Sequence, residues 1–460
     1  MQKTLYQFNN SQDIINLQTK YAIFKRVANI LFSVSFDNGF DPSLMKQALQ
    51  LLTDRNDCLR IRFVKDGKTT KEYFEDSRTI GDIPSLKFAT KNQLDAFILR
   101  FRKGMIRVDK GEAFRAAFVT DASGKQSVFI KISHFVADTY GIGVLVNDLA
   151  GIYAALRDKT ELPPQPGKFE DILKKDAEYR ANDEALENDI AFFKDYHENR
   201  HPEHPTYLGI NGDECDRWLK FKKKGIWAPS YLFIRCDTKG YRFVIPAAVC
   251  DRAAKWCEDR GISMNTFFFY ACAVTCSIKN GRMPYQLPLE LMNCRATVTD
   301  RKAAGTKVQS LGVYVTVDYK KSFDDNAAEL FAEQNELYRH TRLTYLEIEA
   351  MEHKLWGHPM TSFLTNFCFS FIPMAMPEGL ELQVYSNGKG ALVTYMALIY
   401  DVNTHEVIVN YDVQTQMVTP EQMIEFQNSY IHVIEAVLNK PDQPLSRGYK
   451  SSGIQSSVPA

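Results

Sequence analysis

Lys131-Ile-Ser-His134-Phe-Val-Ala-Asp138-Thr-Tyr-Gly141 is the stretch on which the reading of this chain turns. It follows Ser127-Val-Phe-Ile-Lys-Ile-Ser133, where Val128, Ile130 and Ile132 recur at every second position and share one face, the spacing of a strand. It precedes Ile142-Gly-Val-Leu-Val-Asn-Asp-Leu-Ala-Gly-Ile-Tyr-Ala-Ala-Leu156, whose apolar residues recur at three and four, the spacing of a helix. His134 and Asp138 therefore fall where a strand hands over to a helix. A side chain there is held rigidly and can still reach a cleft. A neutral imidazole titrates near working pH and can take a proton from an alcohol or amine as that group attacks a carbonyl. A carboxylate four positions on can fix the surrounding backbone or pair with a cation. Spacing alone favours plainer roles, a strand-end histidine and a helix N-cap aspartate.

The same stretch resembles the H-H-x-x-x-D-G motif of the condensation-domain and CoA-dependent acyltransferase superfamily. That group includes nonribosomal peptide condensation domains, plant alcohol acyltransferases and chloramphenicol acetyltransferase. Ser133 stands at the first His, His134 at the second, Asp138 at the Asp and Thr139 at the Gly. The second His is the family's catalytic one, so the resemblance implies His134 as general base. Thr139 adds a branched side chain beside the site. Arg55-Asn-Asp-Cys-Leu-Arg-Ile-Arg-Phe63 resembles the family's R-H-E-x-L-R-T-x-F motif at Arg55, Leu59, Arg60 and Phe63, and reads as scaffold. Asn293-Cys-Arg295 and Leu311-Gly-Val-Tyr-Val-Thr-Val317 resemble its N-R and G-x-F-V-N motifs, with Tyr314 for Phe and Thr316 for Asn. The exit Val407-Ile-Val-Asn-Tyr-Asp412, a helix, then Asn439-Lys-Pro-Asp-Gln-Pro444 looks like the way condensation domains end. The likeness runs over about residues 41–444.

The resemblance implies an α/β (α+β) fold of two chloramphenicol-acetyltransferase-like sandwich lobes in a V, with His134 at the floor of a central tunnel. It implies acyl transfer from a thioester to an amine or hydroxyl. The donor would be a phosphopantetheine-bearing co-substrate, CoA or an acyl-carrier protein, with no resident cofactor and no metal. Arg295 would brace Asp138, since a planar guanidinium suits a carboxylate in bidentate geometry. Ser370, alternating out of the apolar strand Phe367-Cys-Phe-Ser-Phe-Ile372, is a candidate oxyanion donor. Asn366 and Thr139 compete for an oxyanion or substrate role. Three function classes stay open: a free-standing acyltransferase, a peptide-forming condensation domain of a synthetase, and a non-catalytic member that docks partners. The partners expected are a small-molecule acceptor and an acyl- or peptidyl-carrier protein.

Composition sets the outer bounds. The chain has 460 residues, 45% hydrophobic and 24% charged, which suits a large globular protein of two or more domains. With 56 basic and 56 acidic residues there is no positive excess to suggest nucleic acid or anionic membrane. The first ten residues lack the apolar core of a signal peptide. The longest apolar run, Phe267-Phe-Phe-Tyr-Ala-Cys-Ala-Val-Thr-Cys-Ser-Ile278, is shorter than the roughly 20 residues a membrane span needs. Nine scattered cysteines without Cys-x-x-Cys spacing suit reduced thiols. A cytoplasmic monomer without a membrane span is expected.

Outward from the centre, Asp41-Pro-Ser-Leu opens an amphipathic helix with Pro42 in its first turn. Asp66-Gly67 marks a hairpin into Thr69-Thr-Lys-Glu-Tyr-Phe74, and Asp121-Ala-Ser-Gly124 another. The Pro-rich residues 158–167 are the expected linker between an N-terminal lobe, 1–167, and a C-terminal lobe, 168–445. In the second lobe, a helix over 184–199 should turn Leu186, Ile190, Phe193 and Tyr196 inward. Ser263 should cap a buried helix, and Thr419-Pro-Glu-Gln422 is a capping box for the last one. Residues 446–460 read as a disordered tail. His197-Glu-Asn-Arg-His201 fits the zinc pattern H-E-x-x-H, but Pro202 pulls His201 out of helical geometry, and His204 also precedes a proline. Gly141-Ile-Gly143 lacks the further glycines and lysine of a phosphate loop.

Overall fold

The computed structural model describes residues 3–198, 200, 206, 236–295, 297–357, 367–390 and 392–448. The chain opens with α1 (Asn10–Tyr21), β1 (Asn29–Phe36), α2 (Pro42–Arg55), β2 (Ile61–Asp66), β3 (Thr69–Phe74), β4 (Ser85–Lys87) and α3 (Lys91–Phe101). Then come β5 (Phe114–Thr120), β6 (Gln126–Ser133), α4 (Thr139–Asp158), α5 (Phe169–Arg180) and α6 (Asp183–Glu198). After them lie β7 (Thr238–Ile245), α7 (Ala247–Arg260), α8 (Met264–Lys279), β8 (Tyr285–Gln286), β9 (Leu289–Asn293) and a short α9 (Val298–Arg301). The next elements are β10 (Val308–Gly312), β11 (Val315–Thr316), α10 (Phe323–Leu337), α11 (Tyr345–Trp356) and β12 (Phe367–Met374). Last are β13 (Leu380–Tyr385), β14 (Thr394–Asp401), β15 (Val407–Gln414), α12 (Pro420–Asn439) and a closing helical turn, Leu445–Gly448. The fold is mixed α/β, in two compact units.

The first unit comprises Met1–Asp183 together with Asn293–Gln309 and Met374–Lys389. The expected boundary after residue 167 falls inside it. The Pro-rich stretch is a packed strap here: Arg55 Nη2 donates to the carbonyls of Pro163 at 2.9 Å and Pro164 at 2.7 Å. A proline has no N–H to satisfy, so such a stretch can lie flat against a domain as readily as it can link two.

The sheet of this unit has the order β13-β1-β6-β5-β4. β6 pairs antiparallel with β1, Ser133 opposite Asn29, and with β5 on its other side. Both faces of β6 are covered. On the face of Val128 and Ile130, β1 contributes Phe36, whose ring meets Tyr153 of α4 at 5.8 Å between centroids. On the other face Phe129 meets Phe97 of α3 at 5.6 Å. Lys131 shares that second face and is buried, its ammonium donating to the Lys103 carbonyl just past the end of α3 at 2.7 Å. Burial lowers its pKa to about 8.

The scaffold motif fixes α4. Arg55 forks onto Asp148 of α4 at 3.0 and 3.3 Å, and Asn56 reaches the same carboxylate at 2.8 Å. Asp57 accepts the N–H groups of Phe169 and Glu170, both at 2.9 Å, so a carboxylate remote in sequence caps α5. Among the described residues α4 is the one single helix long and apolar enough to cross a bilayer. Its buried side chains and the Arg55–Asp148 pair make it a core helix here.

The second unit comprises Glu184–Met292, Ser310–Pro373 and Gly390–Ala460. Its sheet runs β10-β9-β12-β14-β15-β7. Phe267, Phe268, Phe269 and Tyr270 of α8 are buried in its core. Met423, Phe426, Tyr430, Ile434 and Val437 of α12 share that core, and the Tyr430 hydroxyl donates to the Phe268 carbonyl at 3.1 Å. Ser263 and Thr419 cap α8 and α12 as the sequence suggests. The inner face of α6 differs from expectation. Ile190 is 42% exposed, and Asp189 is buried in its stead. Asp189 accepts from the Arg342 backbone N–H at 3.0 Å and the Arg342 guanidinium at 3.3 Å, and meets His340 Nδ1 at 3.0 Å. A carboxylate with that many donors can turn inward, which rotates the helix away from Ile190. Ser446 to Gly448, assigned to the tail, complete a helical turn, and residues 449–460 lie outside the described residues.

Candidate active site

β6 ends at Ser133, but pairing continues for one more residue: the His134 N–H donates to the Ala28 carbonyl at 2.7 Å. The chain then turns, and Asp138 becomes the N-cap of α4, its Oδ1 accepting the Gly141 N–H at 2.7 Å. His134 is thus held between a strand end and a helix cap.

Arg295 lies against Asp138. Its Nη1 reaches Oδ2 at 3.0 Å and its Nη2 reaches Oδ1 at 3.2 Å, a two-pronged contact. The Lys307 N–H is a second donor to Oδ2, at 2.7 Å. The remaining guanidinium hydrogens go to the carbonyls of Gly305 at 2.8 Å and Ala303 at 3.4 Å, and to Asn293 Oδ1 at 3.0 Å. Both charged side chains are buried, and the guanidinium lies 4.9 Å from the centroid of the Tyr140 ring. Every charge here has a partner, as buried ions require.

His134 is partly buried, with Nδ1 3.4 Å from the Thr306 hydroxyl. Burial pulls its pKa below the ordinary histidine value, while a backbone hydrogen bond and the Asp138 charge push the other way with less effect. The imidazole is therefore neutral at neutral pH, the form that accepts a proton.

The segment carrying Thr306 approaches closely because of two glycines. A Cβ on Gly141 would lie 2.4 Å from the Gly305 carbonyl oxygen, and Gly305 itself has φ +108°. Gly141→Ala is therefore expected to destabilise the unit by about 1–3 kcal/mol, the usual cost of overpacking. Thermal melting beside the parent checks this, and an unchanged midpoint would refute the close approach.

His134, Asp138, Thr139 and Arg295 gather in the first unit, with Thr139 the first residue of α4. Ser370 belongs to the second unit, where it is buried on β12 with its hydroxyl 2.9 Å from that of Tyr395. Asn366 lies outside the described residues, as do His201 and His204. His197 is buried on α6, its Nε2 3.2 Å from Glu352 Oε1. Thr306, Gly305 and Lys307 also belong to the site, and none of them stands in a motif. The first turn of α1 joins them, and there the sequence does carry a signal, the capping box Asn9-x-x-Gln12 before Ile14-Ile15.

Comparison with known proteins follows the same line. The family model "Condensation domain" matches residues 3–451. A plipastatin synthase polypeptide of Bacillus subtilis is 18% identical over 438 residues, 90% of this chain and 16% of that protein. A hybrid PKS-NRPS synthetase of Talaromyces variabilis is 23% identical over 167 residues, 36% of this chain and 4% of the synthetase. The chain thus spans a small fraction of either relative. Among solved structures, the starter condensation domain of rhizomide synthetase in complex with C8-CoA gives a TM-score of 0.78 at 17% identity, covering 96% of this chain and 97% of that one. The first condensation domain of the calcium-dependent antibiotic synthetase, with a substrate analogue, gives 0.77 at 14% identity, covering 97% and 100%.

Proposed function

Since the chain belongs to the condensation-domain family, we propose that it moves an acyl group from a thioester donor to an amine or hydroxyl acceptor, with His134 as general base. The observation that carries this reading is a neutral imidazole fixed beside a fully paired Asp138–Arg295 bridge. In this reading Nδ1–H donates to the Thr306 hydroxyl, 3.4 Å away, and Nε2 is the proton acceptor. Nε2 takes the acceptor's N–H or O–H proton as that atom bonds to the thioester carbonyl carbon. The tetrahedral oxyanion then collapses, the C–S bond breaks, and the thiolate leaves and recovers the proton. A thioester is already activated, so the sequence needs neither a metal nor a covalent enzyme intermediate. Asp138 braces the loop through Arg295 and the Gly141 N–H.

The donor is a phosphopantetheine thioester, on CoA or on a carrier protein. A structural neighbour holding C8-CoA together with Leu-SNAC supports an acyl thioester meeting an amine. A second reading, amide formation between carrier-bound substrates within a synthetase, is favoured by the match along 90% of this chain to the plipastatin synthase. One acyl group presented on CoA and on a carrier protein, with a panel of amines and alcohols, separates the two by product mass. Turnover from acyl-CoA and from no carrier would reject carrier dependence. No turnover from either, with a carrier protein bound, would favour a docking role. Lys222-Lys-Lys224, the densest basic run, lies outside the described residues.

The depressed pKa of His134 predicts the pH dependence. The acid limb of kcat/KM should titrate below about 6.5, the ordinary histidine value, and the rate should be level above it. Stability follows the same sign: the neutral ring favours the fold above the unfolded value of about 6.5, and that contribution is lost as pH falls through the folded value. A limb centred above pH 7 would assign the essential base to another group.

A further inference from the structure

The first turn of α1 makes more contacts than helix capping requires. Asn9 Oδ1 accepts the Gln12 N–H at 3.0 Å, and Gln12 Oε1 accepts the Asn9 N–H at 3.1 Å, which completes a capping box. A Ser, Thr or Asp cap would serve the first of these equally, because capping needs only an acceptor. A carboxamide also brings two N–H donors in a fixed plane. Asn9 Nδ2 donates to the Thr306 carbonyl at 2.8 Å. Gln12 Nε2 donates to the Phe135 carbonyl at 3.2 Å and to Glu72 Oε2 at 2.9 Å. Ser11 closes the clasp, its hydroxyl donating to the Val308 carbonyl at 2.6 Å and accepting the Val308 N–H at 2.7 Å. Asn9, Ser11 and Gln12 are all buried. Neither amide can be flipped: the reverse of Gln12 would set N–H against the Asn9 N–H and oxygen against the Phe135 carbonyl.

These contacts converge on one side chain. Phe135 directly follows His134, and Thr306 carries the hydroxyl 3.4 Å from His134 Nδ1. We propose that Asn9 and Gln12 are positioning residues for His134, one helix end holding both backbone points between which the imidazole is oriented. This rests on His134 being the base. The contact to Thr306 is long, as catalytic hydrogen bonds often are before substrate binds. If the Thr306 carbonyl were released, the hydroxyl would drift, and the ring would lose the partner that keeps its proton on Nδ1. A displacement of about 1 Å at a reacting group can cost around 100-fold in rate, so a partial loss of alignment should cost about 10-fold.

The discriminating variant is Asn9→Ser, which keeps the capping acceptor and removes only the donor to Thr306. Nitrogen NMR of His134 reads the tautomer directly, independently of turnover. The parent should carry its proton on Nδ1, and Asn9→Ser should show a mixture of tautomers with kcat down about 10-fold, KM within about 2-fold and melting little changed. Gln12→Met and Thr306→Val should move the same signals. An unaltered tautomer and kcat in folded Asn9→Ser and Thr306→Val would overturn the proposal. If the tautomer responds while His134→Ala retains full turnover, the positioning stands and the base assignment falls.

Discussion

His134→Ala should give a folded protein whose acyl transfer is slower by about 100-fold or more, the scale on which loss of a general base is felt. The fold survives because the contact that fixes the loop here is made by the backbone: the residue-134 N–H to the Ala28 carbonyl does not depend on the side chain. The imidazole is partly exposed and neutral, and meets the Thr306 hydroxyl at 3.4 Å, so its removal leaves no buried charge. The whole effect should fall on kcat and kcat/KM. Matching melting curves with parental turnover would refute the mechanism, and matching curves with lost turnover would support it.

Arg295→Ala should instead act on the fold. It leaves the buried Asp138 carboxylate with only the Gly141 and Lys307 N–H groups, and it strips donors from the Gly305 and Ala303 carbonyls. Half-breaking a buried pair costs about 3–5 kcal/mol, enough to remove much of the marginal stability of a domain. Arg295→Lys should recover little, because an ammonium has no planar fork to match both carboxylate oxygens and a carbonyl at once. Asp138→Asn should be milder in charge but should set an amide N–H against the Lys307 or Arg295 donors. Denaturant unfolding of the three variants measures this, and parental midpoints in all three would show the bridge to be dispensable.

Much of this was written locally in the chain. The handover at Ser133 and the cap at Asp138 follow from two periodicities meeting, because a strand and a helix impose different spacings on neighbouring residues. The pairing of Asp138 with Arg295, 157 residues apart, has no local signal and could be expected only through resemblance. Thr306 was invisible for the same reason. It is one threonine in Ala-Ala-Gly-Thr-Lys, and only the adjacent Gly305 hinted at a constrained backbone. Hydrophobicity alone points Ile190 inward, whereas Arg342 and His340, far along the chain, make Asp189 the better buried residue. Residues 158–167 look like a linker by composition, and no local signal shows that Arg55 and the Lys302 carbonyl tie them to the unit.

The threading of the first unit also sets an order of events at the ribosome. β1 is closed on one side by β6 and on the other by β13, whose residues Leu380–Tyr385 are made long after β6. Asp138 waits 157 residues for its counter-ion, roughly 10–30 s at ordinary translation speeds of about 5–20 residues per second. Through that interval the nascent unit carries an open strand edge and an unmatched carboxylate, the surfaces that chaperones shield and that promote aggregation when they are not shielded. A product released early, at residue 183 for example, would contain His134 yet lack Arg295, Thr306 and β13. Interrupted synthesis therefore yields chains without an assembled site, and catalytic competence arrives only after both later segments have been delivered to the first.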